Sequence, residues 1–197
     1  MLSETLRGLL MEKNSLVSID ASTNSLAFAI FNESSLIRFG KIIFEGKTVY
    51  DKVADAGKTC VKFFELFPEI KNLVIEHTVF MNSPKTAADL ALVQGALLGA
   101  AAQCGINLAG AVNPIAWQSY LGNKKMTKEE QFKLVSDNPG KTKSWYKKLE
   151  RDIRKQRTIN LIRINYDRDV PDNDVADAIG IGHYAIHNWE KVVDKNG

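Results

Sequence analysis

Residues 16–44 read LVSIDASTNSLAFAIFNESSLIRFGKIIF, and residues 72–76 read NLVIE. The first stretch is dense in Val, Ile and Phe, which fit a pleated, half-buried surface, and polar residues punctuate it. Leu16 to Asn32 is a strand candidate, with Asn24 and Ser25 marking a bulge or turn. Ser35 to Phe44 follows as its hairpin partner across Asn32-Glu33-Ser34. The run LVIE is short and apolar up to its final residue, the pattern of a strand in the middle of a sheet. Each apolar run therefore ends in a carboxylate, Asp20 in the first and Glu76 in the second.

Working outward, Glu45-Gly46-Lys47 is read as the lead into a further short strand. Asp51 to Phe67 has helical spacing through Val53, Cys60, Phe63, Phe64 and Phe67, and Pro68 ends it. A long helix starts after Pro84 with Thr86 as its cap and Gly105 as its stop. Its stretch ALVQGALLGAAAQCG lets another backbone approach closely. Asn107 to Val112 forms a strand, and Asn113-Pro114 opens a helix to Leu121. Lys124 to Gly140 reads as an irregular basic region with a turn at Pro139-Gly140. Lys143 to Tyr166 is one long basic helix and Asp174 to Val192 a final one, separated by Pro171. The order hairpin, helix, buried strand, helix, strand, helices defines an α/β protein with a mixed sheet flanked by helices.

At 197 residues, 45% hydrophobic and 25% charged, the chain fits a single domain over residues 1–197 with a full core. Cys60 and Cys104 lie in apolar stretches without metal-ligand spacing, which fits a reducing interior. The N-terminus MLSETLRGLLMEKN lacks a secretory signal, and the longest apolar candidate, Leu90 to Cys104, carries Gln94 and Gln103. A cytoplasmic location is expected, with no membrane partner. The net charge of +3 hides an asymmetry: residues 124–168 hold 14 Lys/Arg against 6 Asp/Glu, a balance of +8, and the rest of the chain balances at −5. Such a block fits a polyanion partner, and it also fits a solvated helix with charged faces.

Four acids stand out by their neighbours. Asp20 and Glu76 end buried strands, where a carboxylate is costly unless something positive satisfies it. A divalent cation with a preference for oxygen, Mg2+ or Mn2+, is an efficient partner. Asp174 and Asp177 are three apart at the start of DVADAIGIGHYAI, on one helix face. Each acid also has a structural explanation: Asp20 as a cap on the Ser22-Thr23-Asn24 turn, Glu76 in a salt bridge, Asp174 as an N-cap, Asp177 answering the helix dipole. Together the four can hold two metal ions ~4 Å apart for phosphodiester hydrolysis. His77 follows Glu76 and should point to the opposite face; His183 and His187 read as packing or surface residues.

The segment from Ile75, IEHTVFMNSPKTAADLALVQGALLGAAAQCGI, resembles the pattern of the RuvC-type Holliday junction resolvases, crossover junction endodeoxyribonucleases of the ribonuclease-H-like superfamily. There a catalytic Glu precedes a Val-Phe-Met loop and a helix with a Gln-x-x-Gly-like element, matched here by Glu76, Val79-Phe80-Met81 and Gln94 with Gly95 and Gly99. SIDASTNSLAFAIF resembles the family's opening strand and DVADAIGIGHYA its Asp-x-x-Asp-Ala helix, so the likeness spans residues 16–187. The resemblance implies a ribonuclease-H-like mixed sheet flanked by helices. It also implies a homodimeric endonuclease that cuts four-way DNA junctions with two Mg2+ per active site, Mn2+ substituting, held by Asp20, Glu76, Asp174 and Asp177, with Asp172 competing for the place of Asp174. It further implies that Phe80 stacks near the junction centre and that Lys155, flanked by Arg154 and Arg157, faces the scissile phosphate. A family lysine near the helix after Pro114 falls at Trp117 or Gln118, its role moving to Lys124 or Lys125. Residues 123–150 look like a basic insertion, and Asp20 lacks the usual following Pro-Gly. The missing Pro-Gly points to a diverged branch, viral or phage, working in host cytoplasm, and the insertion leaves the choice of substrate open. Flaps, forks and RNA–DNA hybrids stay open as substrates, as does a catalytically inactive DNA-binding module. Sugar-kinase and actin-like ATPases are disfavoured, because their Gly-rich phosphate loops are missing.

Overall fold

The computed structural model describes residues 15–77, 83–170 and 172–193. The expected DNA-stacking Phe80 and the separator Pro171 lie outside them. Five strands form one sheet: β1 (Leu16–Ala21), β2 (Ser25–Asn32), β3 (Ser35–Ile43), β4 (Asn72–Glu76) and β5 (Asn107–Val112), in the order β3-β2-β1-β4-β5. β1, β2 and β3 run antiparallel as a meander, and β4 and β5 run parallel to β1. The expected strand Leu16–Asn32 is two strands folded back on each other. Ser22 makes the reversal: its amide reaches Ser25 O at 2.8 Å and its hydroxyl accepts from the amides of Asn24 and Ser25. The bulge or turn expected at Asn24-Ser25 is thus a full chain reversal, closed by a small hydroxyl side chain that bonds nearby backbone.

The helices are α1 (Val49–Glu65), α2 (Pro84–Gln103), α3 (Pro114–Tyr120), α4 (Lys128–Asp137), α5 (Lys143–Tyr166), α6 (Asn173–His187) and α7 (Trp189–Val193). No strand follows Glu45-Gly46-Lys47; Thr48 and Asp51 instead build a capping box that starts α1. The cap of α2 is Ser83, whose hydroxyl accepts from the amide of Thr86, so the expected cap Thr86 lies inside the first turn. The region expected to be irregular contains α4, opened by the capping box Thr127–Glu130. That signature is present in the sequence, but the density of lysines hid it. Among the described residues no helix is long and apolar enough to cross a membrane.

Strand alternation sorts the core into two layers. Val17, Ile19, Leu26, Phe28, Ile30, Leu73 and Ile75 pack against Phe63 and Phe64 of α1 and Val93 and Leu97 of α2. Leu16, Ala27, Ala29, Phe31, Val74 and Val112 face the C-terminal helices, with Trp117, Ile162, Ile179 and Ile181. Both faces are covered, which is why the central strands β1 and β4 are apolar apart from Ser18, Asn72 and the terminal acids Asp20 and Glu76. Each such aliphatic or aromatic side chain contributes roughly 1.5–3 kcal/mol by leaving water.

Helix α6 lies unusually close to β1. The Ser18 hydroxyl donates to the Ala178 carbonyl at 2.7 Å, and a Cβ placed on Gly182 would sit 2.2 Å from the Phe31 ring and 2.5 Å from Ser18 Oγ. Gly180 is similarly closed in by Leu121 and Trp117. The glycines of AIGIGHYAI therefore let this helix press onto the sheet, and that contact sets the position of its acidic first turn.

Candidate active site

On β1 the side chains of Leu16 and Ser18 face α6, so Asp20 does too. The parallel register pairs Ser18 with Val74 and Ile19 with Ile75; one step further it sets Asp20 beside Glu76 at the ends of β1 and β4. Ser18 holds the carbonyl of Ala178, and the preceding residue of α6 is Asp177. Three acids from three elements thus converge on one sheet face. Burial pushes the Asp20 carboxyl up to about 8, with repulsion from Glu76, Asp177 and Asp174 adding and Lys155 opposing. Asp177 rises to about 7, chiefly by burial; Lys155 opposes, and Glu76, Asp174 and Asp172 add. Burial also raises Glu76, while the indole N–H of Trp117, donating to its Oε1 at 2.7 Å, pulls the other way. Acids raised chiefly by burial, with neighbouring carboxylates adding to both aspartates, mark a site short of positive charge.

Two lysines partly supply that charge. Lys155 Nζ stands 3.9 Å from Asp177 Oδ2, too far for a hydrogen bond. Lys41, on β3, donates to Asp174 Oδ2 at 2.5 Å and to Asp172 Oδ2 at 3.1 Å. Asp172 also accepts from the amides of Asp174 and Val175 through Oδ1, so Asp172 is the N-cap of α6 and Asp174 is not. For Asp172 burial acts upward, but Lys41 and the two amides outweigh it and hold the carboxyl low. The Asp20 turn is capped by Ser22, and Glu76 meets an indole where a salt bridge was the alternative. Among the described residues no three Asp, Glu, His or Cys side chains are already gathered as a metal cage. The donor set, all carboxylate oxygen and mutually repelling, nonetheless suits a hard divalent cation.

The other expected residues divide. Lys124 and Lys125 are exposed between α3 and α4. Arg154 is committed inward, donating to Asn123 O and to Gln118 Oε1, and so pins α5 to the segment after α3. Arg157 pairs with Glu130 at 2.8 Å. Of these three neighbours only Lys155 turns toward the acids. His77 is exposed, and its amide extends the sheet to Val112 O. His183 is buried, lies 2.6 Å from the Tyr166 hydroxyl, and is lowered to about 4, chiefly by burial; its neighbour His187 is exposed. Trp117 and Lys41 went unrecognised as site residues in the sequence. Trp117 did fall where a lysine was expected, whereas Lys41 has no local signal, because its partners lie more than 130 positions away.

No family model matches the chain, and no curated protein matches it. Solved structures do. A Thermus thermophilus RuvC in complex with a Holliday junction substrate superposes with a TM-score of 0.65 at 12% identity, covering 91% of this chain and 97% of that one. Another T. thermophilus RuvC structure gives 0.63 at 14% identity, covering 90% and 97%. The yeast mitochondrial Holliday junction resolvase gives 0.51 at 12%, covering 96% and 85%. The chain has the ribonuclease-H-like fold of the RuvC-type resolvases.

Proposed function

We propose that this chain is a metal-dependent, structure-selective endodeoxyribonuclease that hydrolyses phosphodiester bonds in branched DNA and resolves four-way junctions. The observation that carries this reading is the convergence of Asp20, Glu76 and Asp177 from β1, β4 and α6, with both aspartates raised toward neutrality chiefly by burial and further by neighbouring carboxylates. The likeness to a RuvC structure holding a Holliday junction supports the substrate class.

Asp20, Glu76 and Asp177 would hold Mg2+ or Mn2+, and Asp174 would complete a pair of ions once freed from Lys41. Bound there, divalent ions supply activation of water and stabilisation of the leaving oxygen. The chain's own groups do the rest. Trp117 keeps Glu76 oriented through Oε1. Lys155, near Asp177 without bonding it, would neutralise the scissile phosphate. Lys124 and Lys125, exposed between α3 and α4, would bind the DNA backbone, and Phe80 would stack on exposed bases. The exposed stripe of Ala88, Ala91, Gly95, Gly99 and Ala102 along α2 supports a homodimer, since small residues let a second copy approach. Lys41 on Asp174 favours one second reading, a catalytically inactive DNA-binding module.

A cleavage panel separates the two. Four-way junctions, flaps, forks, duplex and RNA–DNA hybrid are incubated with Mg2+, Mn2+ or EDTA, for the native chain and Asp177→Asn. Metal-dependent cutting of four-way junctions, lost in the variant with binding retained, is expected. Junction binding without cutting in either metal would establish the inactive module, and preferential cutting of hybrid would overturn the junction assignment.

A further inference from the structure

Lys41 is the positive charge most tightly engaged with the candidate site, yet it comes from the edge of the sheet. Its position follows from register: Lys41 pairs with Ala27 across β2–β3, and Ala27 pairs with Asp20 across β1–β2. Lys41, Ala27, Asp20 and, one step on, Glu76 therefore form a row across the face that α6 covers. Two strand spacings of ~4.8 Å separate the backbones of Lys41 and Asp20, and the residue between them carries only a methyl group. Over that gap the ammonium reaches the first turn of α6, bonding Asp174 at 2.5 Å and Asp172 at 3.1 Å. The contrast with Lys155 is informative. Lys155 stands off its carboxylate at 3.9 Å, open to a phosphate, whereas Lys41 is fully engaged by two.

We propose that Lys41 is the resident counter-cation of the metal-free site: it occupies Asp174 in place of a divalent ion and must be displaced for a second ion to bind. The inference rests on the metal-site reading above. Its physical basis is that one carboxylate oxygen cannot serve a hydrogen-bonded ammonium and a dication at full strength, and that the ammonium repels the incoming charge. Lysine suits such a role, since a flexible four-carbon stem lets its ammonium swing toward solvent or a DNA phosphate. The arrangement also makes sense of Asp172. As the N-cap its Oδ1 is held by two backbone amides, so Asp172 stays in place while Lys41 moves, and the lysine keeps a partner after releasing Asp174.

The alternative is a static clip that fixes the start of α6 to the sheet edge. Metal titration distinguishes them without relying on cleavage. Mn2+ affinity is measured by the electron paramagnetic resonance of free Mn2+ and by thermal shift, for the native chain, Lys41→Met and Lys41→Arg. The proposal expects Lys41→Met to bind Mn2+ about three- to tenfold more tightly, the range set by losing one to two partly exposed ion pairs. Lys41→Arg, which keeps the charge, should stay near the native affinity. The metal-free Lys41→Met should melt lower than the native chain and recover more on Mn2+ addition. Unchanged or weaker Mn2+ binding in Lys41→Met, with the native chain binding normally, would overturn the proposal and leave the nuclease reading standing. Absence of Mn2+ binding by all three proteins would overturn both.

Discussion

Replacing Asp20 by asparagine tests the acid cluster through stability as well as activity. In the metal-free fold the Asp20 carboxyl is moved from 3.8 to about 8. At ~1.4 kcal/mol per tenfold change in acidity, that displacement opposes folding at pH 8 by at most about 6 kcal/mol. Water entry and proton sharing with Glu76 and Asp177 reduce the observable figure to about 2–3 kcal/mol. Asparagine keeps the shape and removes the charge, so metal-free Asp20→Asn should be the more stable protein at pH 8. For a chain of this length the gain corresponds to about 5–10 °C in Tm. The direction with pH follows from a folded value above the unfolded one. The favourable contribution of the neutral acid is complete below about pH 4 and is lost as pH rises through about 8. The gap between variant and native chain should therefore be small at pH 5 and largest at pH 8. Calorimetry in EDTA at pH 5, 6.5 and 8 reads this directly, with junction cleavage in Mg2+ followed in parallel. A variant that melts below the native chain at pH 8 would refute the reasoning, because the Asp20 charge would then be stabilised by a partner.

Three further outcomes are expected. Gly182→Ala, whose Cβ would lie 2.2 Å from the Phe31 ring, should cost about 1–3 kcal/mol in urea unfolding and cleavage disproportionately, since it lifts the acidic turn of α6 from β1. Trp117→Phe keeps an aromatic ring but removes the 2.7 Å hydrogen bond to Glu76 and the outer ring against Gly180, so stability should fall by about 2–4 kcal/mol. That bond holds the Glu76 carboxyl down, so the acidic limb of the pH–rate profile should move to higher pH; an unmoved limb would confine Trp117 to packing. Junction affinity should fall steeply between about 50 and 200 mM salt through the basic surface, and a flat response would exclude backbone recognition by it.

The sequence by itself determined most of the local elements and singled out the candidate acids. The short apolar runs of LVSID and NLVIE placed buried strands, and their terminal carboxylates were conspicuous because charge at the end of an apolar run calls for a partner. The pair Asp174 and Asp177 was legible from helical spacing alone. What local pattern left open was which group each acid meets, because those partners come from distant parts of the chain. The assignment of the cap to Asp172, the indole on Glu76, the inward commitment of Arg154 and the grip of Lys41 on Asp174 all depend on tertiary packing. The glycines of α6 show the link. In sequence they only weaken a helix, but in the fold they let it descend onto Ser18 and Phe31, and that approach brings Asp177 to Asp20. Electrostatics then follows from burial and proximity: the carboxyls of Asp20 and Asp177 rise chiefly because the fold buries them, with Glu76 and Asp174 adding to both.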